Sequence, residues 1–308
     1  MQMRWRGSFS FFFGLFFCAL AGSAEASPAG QPTFAFRLGV IAEKADRPAE
    51  TLRQYSALQA YFNAQSGRRD LRIELVVARD IPEMISQFAQ ATVDAVLESV
   101  MPVLIIERHS SALEPVLLAW RDGLRQYQSL FFVRQDSSIN ALNDLQGHTL
   151  AFASDRSSAA FLVPLAVLRE AGMSVRPTAD TLASASAVRY VFAGRELNQA
   201  YWVQRGRVDA GAFKDSDWEQ VPWVVRKDLR VIAQTPALPN WLLAFRSDLD
   251  PRIVQAIGRI LLDMHKDTTG QDALRAAGHI TKFELLQDTD LAAVDYWRQR
   301  LKYVDSVP

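Results

Sequence analysis

The chain has 308 residues and a formal net charge of zero, with 34 basic and 34 acidic side chains, and 49% of its residues are hydrophobic. This balance, without a polybasic run, excludes the usual signature of a protein that binds nucleic acid or an anionic lipid surface. The single cysteine, Cys18, excludes a disulfide framework, so the chain must be stabilised by its hydrophobic core.

A cleaved signal peptide is predicted over residues 1–26. Two arginines precede an apolar run from Phe9 to Leu20, and Ala24-Glu25-Ala26 has the small-x-small pattern of a signal peptidase site. The apolar run of about twelve residues is shorter than the roughly twenty that a membrane-spanning helix needs. We therefore predict export to the periplasm with cleavage before Ser27. The alternatives are an uncleaved anchor and a lipid-modified Cys18.

Strand and helix patterns alternate after this leader, which predicts an α/β fold. Alternating apolar and polar residues indicate the strands, and Leu52, Tyr55, Leu58 and Phe62 recur at helical spacing in the first helix. For the first part of the chain, strands are predicted over Phe34–Ile41, Leu71–Ala78, Ala95–Leu97 and Val116–Trp120, and helices over Ala49–Gln65, over Ile81–Gln90 and after Pro102.

A second set of strands and helices begins near Ser129. The segment Thr235–Asn240 holds two prolines and is interpreted as a return crossing to the first set. The predicted strands are Leu130–Arg134, Thr149–Ala153, Val188–Phe192, Ala210–Phe213, Val231–Gln234 and Trp241–Arg246; the predicted helices are Ile139–Leu145, Leu162–Ala171, Glu196–Gln204, Pro251–His265, Gln271–Ala277 and Thr289–Lys302.

The tripeptide Val-Asp-Ala occurs twice, at residues 93–95 and 208–210, each time between an amphipathic helical run and a short apolar strand. One interpretation is two α/β lobes of similar design, and the alternative is chance. Ligands on open α/β sheets bind at the carboxyl ends of the strands, so two such lobes would share a cleft. We predict that lobe 1 comprises residues 34–126 and 243–308 and lobe 2 comprises residues 127–242.

The serine loop, residues 153–160, has the sequence ASDRSSAA and connects a predicted strand to a predicted helix. A helix start offers unpaired backbone N–H groups, and serines add hydroxyl donors, so the loop is a candidate oxyanion site. The alternative is that Ser157 is only the N-cap of the helix. Pro164 removes a backbone hydrogen bond, which predicts that the helix kinks or restarts there.

Enzyme motifs are not found in the sequence. It has no Gly-x-Ser-x-Gly, Ser-x-x-Lys or His-Glu-x-x-His pattern and no glycine-rich phosphate loop. The four histidines, His109, His148, His265 and His279, are scattered and lack the spacing of metal ligands. We therefore predict no catalytic residue, no metal site and no cofactor.

Three segments carry a family resemblance: residues 120–137, residues 145–152 with the serine loop that follows them, and Gly206–Ala212, for which Val93–Ala95 is the first-lobe counterpart. In this order they resemble the phosphate/phosphite/phosphonate-binding family of periplasmic proteins of ABC importers. The resemblance implies a type II periplasmic-binding fold with two lobes joined by two crossings. It also implies capture of a small oxyanion in the cleft, as a monomer that delivers the ligand to a permease in the inner membrane.

The resemblance also nominates site residues. Ser157, Ser158 and the backbone of Ala159 are the expected oxyanion donors, although the family's loop usually reads Ser-Thr-Ser-Gly, which leaves phosphonate specificity open. Tyr127 either donates its hydroxyl or packs, and Ser99 donates from the first lobe. The remaining candidates are the charged residues Glu98 and Asp215, which bind an ammonium, accept from a protonated phosphonate or cap a turn, and Arg156, which neutralises an anion or faces solvent.

Two alternatives to transport remain. The same fold can report ligand binding to a membrane sensor kinase, and an exported enzyme is the remote alternative. Adjacent genes for a permease and an ATPase would favour transport, whereas an adjacent histidine kinase gene would favour sensing. The sequence does not decide between these partners.

Overall fold

Two six-stranded mixed sheets form the framework of the molecule, in a computed structural model that describes residues 34–66, 71–110 and 113–304. The predicted signal peptide lies outside the described residues. The strands are β1 Phe34–Ile41, β2 Leu71–Ala78, β3 Ala95–Ser99, β4 Leu113–Arg121, β5 Gln126–Tyr127, β6 Ser129–Arg134, β7 Thr149–Phe152, β8 Val175–Pro177, β9 Val188–Phe192, β10 Ala210–Lys214, β11 Leu229–Gln234, β12 Leu238–Pro239, β13 Trp241–Arg246 and β14 Ile280–Leu285.

Helices cover these sheets, and their amphipathic faces supply much of the core. None of the helices in the described part of the chain has the length and apolar character that a membrane crossing requires. The α-helices are α1 Pro48–Gln65, α2 Ile81–Ala89, α3 Val100–Ser110, α4 Val163–Glu170, α5 Glu196–Gln204, α6 Asp215–Gln220, α7 Trp223–Arg226, α8 Pro251–Asp263, α9 Thr268–Ala276 and α10 Asp288–Arg298; 3₁₀ turns span Leu142–Leu145, Met264–Lys266 and Leu301–Tyr303.

The first sheet has the strand order β14-β4-β13-β3-β1-β2. β1 is parallel to β2 and β3, whereas β13 is antiparallel to β3 and β4. Phe36 and Leu38 of β1 are buried in one cluster with Leu58 and Phe62 of α1, which holds the helix on that face of the sheet. Because β1 and β3 are parallel, their carboxyl ends lie at one edge, and β3 ends there at Ser99.

The second sheet has the order β11-β6-β10-β7-β9-β8. β7 is parallel to β9 and β10, and β6 is antiparallel to β10 and β11. The carboxyl ends of β7 and β10 therefore lie at the same edge. β7 leads into the serine loop and β10 ends at Lys214, so both segments are presented on that edge.

Two segments connect the sheets side by side. β5 pairs antiparallel with β12, with Tyr127 opposite Leu238. The buried side chain of Asn240 donates to the carbonyl of Leu124 at 3.1 Å, and its own N–H donates to the carbonyl of Arg125 at 3.0 Å. These bonds hold the outgoing and the returning segment together, as expected for two crossings.

The predicted elements agree with the structure in most of the chain. β1, β2, β9, α5 and β13 have the predicted bounds, and the predicted two-proline return segment contains β12. α3 begins at Val100 and not after Pro102, because a proline is tolerated in the first turn of a helix. Leu52, predicted on the buried face of α1, is 45% exposed, whereas Thr51 is buried in its place. The elements that were not predicted are β8, α6, α7 and β14 and the short pair β5–β12.

Candidate functional site

A π turn over Ser158–Leu162 begins within the serine loop and leads into α4. The Leu162 N–H donates to the Ser157 carbonyl at 2.9 Å, which spans five residues and not the four of an α-helix. Pro164, in the first turn of α4, has no N–H for the Ala160 carbonyl, and that carbonyl accepts from the Ala153 N–H at 3.2 Å. The predicted interruption of the helix near Pro164 is confirmed, and it ties the loop to the end of β7.

Ser157 is the N-cap of this turn, one of the two roles that its sequence position allowed. Its Oγ accepts from the Ala160 N–H at 3.1 Å, which leaves the hydroxyl proton available to another acceptor. The Ala159 carbonyl accepts from Ser129 Oγ at 2.7 Å, so the loop is also fixed to the first residue of β6. The N–H groups of Ser158 and Ala159 lie in the first helical turn, where backbone N–H groups lack an intrahelical acceptor.

Two hydroxyl groups from different sheets meet at the centre of the candidate site. Ser158 Oγ donates to Ser99 Oγ at 3.0 Å, and Ser158 is only 5% exposed. Ser99 ends β3 in the first sheet, whereas Ser158 follows β7 in the second. The contact therefore joins the carboxyl edges of the two sheets, where ligands bind in open α/β folds.

Glu98 lies beside this hydroxyl pair. Its Oε1 accepts from the Ser99 N–H at 2.8 Å and from Ser99 Oγ at 3.1 Å. Burial raises the pKa of the Glu98 carboxyl, although the Ser99 N–H and the positive charge of Arg121 act in the opposite direction. A carboxyl group with a raised pKa holds its proton more strongly, and in that form it can donate to an oxygen atom of an anion.

Tyr127 borders the site from the first crossing. The residue is 3% exposed, and its hydroxyl has no hydrogen-bond partner among the described residues, although Ser158 lies beside it. Burial raises the pKa of the Tyr127 phenol, which keeps the hydroxyl a donor. A buried hydroxyl without a partner costs about 1–3 kcal/mol, so a ligand atom that accepts from it would remove this cost.

Lys214 is a cation near this centre that was not predicted from the sequence. It ends β10, and its Nζ lies 5.6 Å from the centroid of the Tyr127 ring. The side chain is half-buried, and burial lowers the pKa of its ammonium group. The nearby charge of Arg121 acts in the same direction, whereas Asp122, Asp217 and Asp215 oppose it.

Arg121 is the second cation that was not predicted. It ends β4, where its guanidinium stacks over the Trp241 ring at 4.1 Å from the centroid and its Nε donates to the Gly278 carbonyl at 2.7 Å. These contacts hold the guanidinium in place, and its positive charge opposes the pKa increase of the nearby Glu98 and Tyr127. Both Arg121 and Lys214 are charged residues at the end of an apolar strand, which is the signal that could have identified them.

Two predicted site residues are engaged by the protein itself. Arg156 donates to the carbonyl of Ala42 and, at 3.3 Å, to the carbonyl of Arg79, just beyond the ends of β1 and β2. Asp215 accepts from the N–H of Ser216 at 2.9 Å and from the N–H of Gln128 at 3.3 Å, which is the turn-capping role among its alternatives. In contrast, Glu98, Ser99, Tyr127, Ser157, Ser158 and Ala159 lie together around the hydroxyl pair.

The described residues do not form a metal-binding site. Across residues 34–66, 71–110 and 113–304, no group of three or more His, Cys, Asp or Glu side chains is arranged to hold a metal ion. What the site offers is a set of hydroxyl and backbone donors, two cations and a carboxyl group with a raised pKa. These groups suit the recognition of an anion in a cleft.

The comparison with protein families gives one match that spans most of the chain. Residues 43–291 match the model of a family described as the periplasmic substrate-binding protein of a phosphonate ABC transporter. The phosphate-import protein PhnD of Mycolicibacterium smegmatis is 26% identical over 201 residues. That alignment covers 64% of this chain and 61% of PhnD, so the chain matches less than two thirds of its relative.

Solved structures with the same fold include close matches in shape. XAC2383 from Xanthomonas citri bound to a chloride ion has a TM-score of 0.78 and 29% identity, over 88% of this chain and 98% of that protein. The same protein bound to ATP has a TM-score of 0.78 and 27% identity, over 89% and 98%. PhnD1 from Prochlorococcus marinus in complex with methylphosphonate, at 15% identity, has a TM-score of 0.62 over 87% and 98%, which is a likeness of fold.

Proposed function

The chain belongs to the family of periplasmic substrate-binding proteins of phosphonate ABC transporters, and on that premise we propose that it captures a small phosphorus oxyanion for an importer. The ligand would lie between the two sheets and be enclosed as they close around it. Helix-start N–H groups and hydroxyls would replace the water that surrounds the anion in solution. No catalytic residue is proposed.

The hydrogen bond between Ser158 and Ser99 is the observation that carries this proposal. Each hydroxyl comes from a different sheet, and the two oxygen atoms are 3.0 Å apart. Hydroxyl groups can rotate, so an anion that enters between them can accept from both. Tyr127 and the N–H groups of the π turn lie around the same point and add further donors.

The two-lobe division of the chain is part of the proposal. Lobe 1, residues 34–126 and 243–308, would contain the first sheet, and lobe 2, residues 127–242, the second. The distribution of the strands between the two sheets supports this division. β13 starts at Trp241 and pairs within the first sheet, so the second crossing would end two residues before the boundary at residue 243.

The proposed ligand class rests on the relatives. PhnD is named a phosphate-import protein, XAC2383 was solved with chloride and with ATP, and PhnD1 was solved with methylphosphonate. Chloride, the phosphates of ATP and methylphosphonate are all anions. A phosphorus oxyanion fits the donors of this site because it accepts several hydrogen bonds at once.

Calorimetry on the mature chain tests the proposal. After unfolding and refolding to remove bound ligand, the protein is titrated with phosphate, phosphite, methylphosphonate, 2-aminoethylphosphonate and sulfate. One-to-one binding of a phosphorus oxyanion is expected. The double variant Ser157→Ala and Ser158→Ala should weaken this binding by about 1–3 kcal/mol for each hydroxyl that bonds the anion.

Ser247→Ala is the matched control, because Ser247 is exposed in a turn before α8. This variant should bind like the wild type. Unchanged affinity in the double serine variant would reject the site, and no binding of any anion on the panel would reject the ligand class.

The partner is proposed to be a permease, as for other substrate-binding proteins of ABC transporters. Reconstitution in proteoliposomes of the permease and the ATPase encoded by adjacent genes tests this partner, because the ligand-loaded protein should stimulate ATP hydrolysis. Stimulation of a histidine kinase encoded by an adjacent gene, in place of the transporter, would favour the sensing alternative.

A further inference from the structure

Lys214 is a cation at the end of β10, on the edge of the second sheet that carries the serine loop. The residue pairs with Ser129 in the register between β10 and β6, and Ser129 Oγ donates to the Ala159 carbonyl of the serine loop. Along β10, Lys214 is two residues from Ala212, which is buried in one cluster with Tyr127. The period of two along a strand places the Lys214 side chain on that same face.

The ammonium group of Lys214 has no counter-ion among the residues that the structure describes. No ion pair or hydrogen bond joins its Nζ to another of the described residues, and the side chain is half-buried. By contrast, the half-buried Arg125 binds Asp290 and Glu284 at 2.5 Å. A half-buried ammonium without a partner among the described residues is only partly solvated by water, so an external anion beside it would be stabilised by its charge.

A second observation indicates where that anion would lie. The Tyr127 hydroxyl is buried and has no hydrogen-bond partner among the described residues, although Ser158 lies beside it, and the Lys214 Nζ lies 5.6 Å from the centroid of the Tyr127 ring. The Tyr127 hydroxyl, the Lys214 ammonium and the Ser158–Ser99 pair therefore all lie near the Tyr127 side chain. Each of these groups can donate to an anion.

We propose that Lys214 supplies the positive charge that binds the ligand's anionic group in this region. The inference rests on the proposed function, and it deepens that function by naming what selects a charged ligand over a neutral one. Hydroxyls and backbone N–H groups bind neutral acceptors as well as anions, whereas an ammonium strongly favours a full negative charge. The ligand class is thus an anion that keeps at least one full negative charge on the bound group.

Charged groups from several elements face Lys214. Arg121 from β4 lies near it, and the carboxylates Asp122, after β4, and Asp215 and Asp217, in α6, act in the opposite direction. Because none of these carboxylates forms an ion pair with Lys214, they do not replace the anion. Burial together with Arg121 lowers the pKa of the ammonium, so anion binding should raise that pKa and draw in a proton at alkaline pH.

Calorimetry of Lys214→Met, Lys214→Arg and the control Lys227→Met, with phosphate and methylphosphonate as probes, tests the inference. Lys227 is an exposed lysine after α7. Lys214→Met should lower affinity at least tenfold, Lys214→Arg should restore most of it, and Lys227→Met should bind like the wild type. At pH 9, titrations in buffers of different ionisation enthalpy should show proton uptake in the wild type that is reduced in Lys214→Met.

Thermal unfolding without ligand checks that the variants fold. Lys214→Met should melt at the same temperature as the wild type or higher, because it removes a half-buried charge that has no partner among the described residues. Wild-type affinity in a folded Lys214→Met variant, while the double serine variant loses binding, would overturn the inference and leave the proposed function standing. If the wild type binds none of the anions, the proposed function fails and the inference with it.

Discussion

The Asp217 carboxyl, near Lys214, makes the stability of the folded protein depend on pH. It lies in the first turn of α6, and burial raises the pKa of its carboxyl to about 6, with the charge of Glu196 acting in the same direction. An aspartate in an unfolded chain has a pKa of about 4. The folded state therefore holds this proton more tightly than the unfolded state. As the pH rises from about 4 to about 6, ionisation of Asp217 lowers the free energy of unfolding.

Asp217→Asn should therefore stabilise the ligand-free protein at neutral pH. Near pH 7 the variant should gain about 1–3 kcal/mol in the free energy of unfolding, because each pKa unit corresponds to about 1.4 kcal/mol. Below about pH 4 the carboxyl is protonated in both states, so the gain should vanish. Urea unfolding at pH 7 and pH 3.5 measures both values. Asp288→Asn, the same change at an exposed aspartate in the first turn of α10, is the control.

The residues of the candidate site were partly accessible from the sequence. Ser157, Ser158 and Ala159 are adjacent in the chain, so a local pattern was enough to group them. Lys214 and Arg121 were missed because each stands alone at a strand end, and only the order of the strands brings both near Tyr127. Sequence patterns indicate which residues face a cleft, whereas pairing between strands decides which of them meet.

At the scale of elements, the regular strands and helices were predictable and the short ones were not. β1 and β2 have clear alternation, and α5 has helical spacing, so their bounds agree with the structure. α6 and α7 have six and four residues and lack a full amphipathic period. Such short helices are stabilised by their surroundings and not by their own sequence. The same holds for the two-residue pair β5–β12, which forms only where the crossings meet.

Pro164 determines the conformation of the serine loop, because it prevents a regular α-helix from forming there. In Pro164→Ala the new N–H can donate to the Ala160 carbonyl, which now accepts from Ala153. A regular α-helix should then compete with the π turn and move the N–H groups of Ser158 and Ala159. We expect a several-fold loss of anion affinity with little change in stability, measured by calorimetry and thermal unfolding. Pro251→Ala, the same change in the first turn of α8, should leave affinity unchanged.

At the scale of the whole molecule, side chains that link the two sheets govern closure. Arg156 reaches from the serine loop of the second sheet to carbonyl groups of Ala42 and Arg79 beyond β1 and β2 of the first. On another side, Arg300 binds Glu170 of α4 at 2.7 Å, so the C-terminal segment also contacts the helix that follows the serine loop. The Arg156 hydrogen bonds differ from the Arg300–Glu170 ion pair in position. They join strand ends of the two sheets at the place where the cleft would open.

Arg156 should therefore stabilise the closed arrangement without touching the ligand. If closure precedes tight binding, the apparent affinity is proportional to the fraction of closed molecules. A variant that reduces this fraction therefore reduces the affinity by the same factor. Hydrogen bonds from a charged donor contribute about 1.5–3 kcal/mol when buried, and less when partly exposed. Arg156→Met should thus lower affinity about three- to tenfold. The loss should be the same for a monoanion and a dianion, since the ligand is not contacted.

The losses of affinity that Arg156→Met causes for a dianion and for a monoanion distinguish this closure role from direct recognition of the ligand's charge. If Arg156 bound the anion, Arg156→Met would weaken a dianion such as phosphate at pH 8 more than a monoanion, because the Coulomb energy scales with the charge of the ligand. Calorimetry with both ligands, together with small-angle scattering of the ligand-free variant, measures the affinity ratio and the opening. Arg252→Met, an exposed change on α8, is the control. A more compact ligand-free variant, or a loss that grows with ligand charge, would contradict the closure role and place Arg156 among the groups that bind the anion.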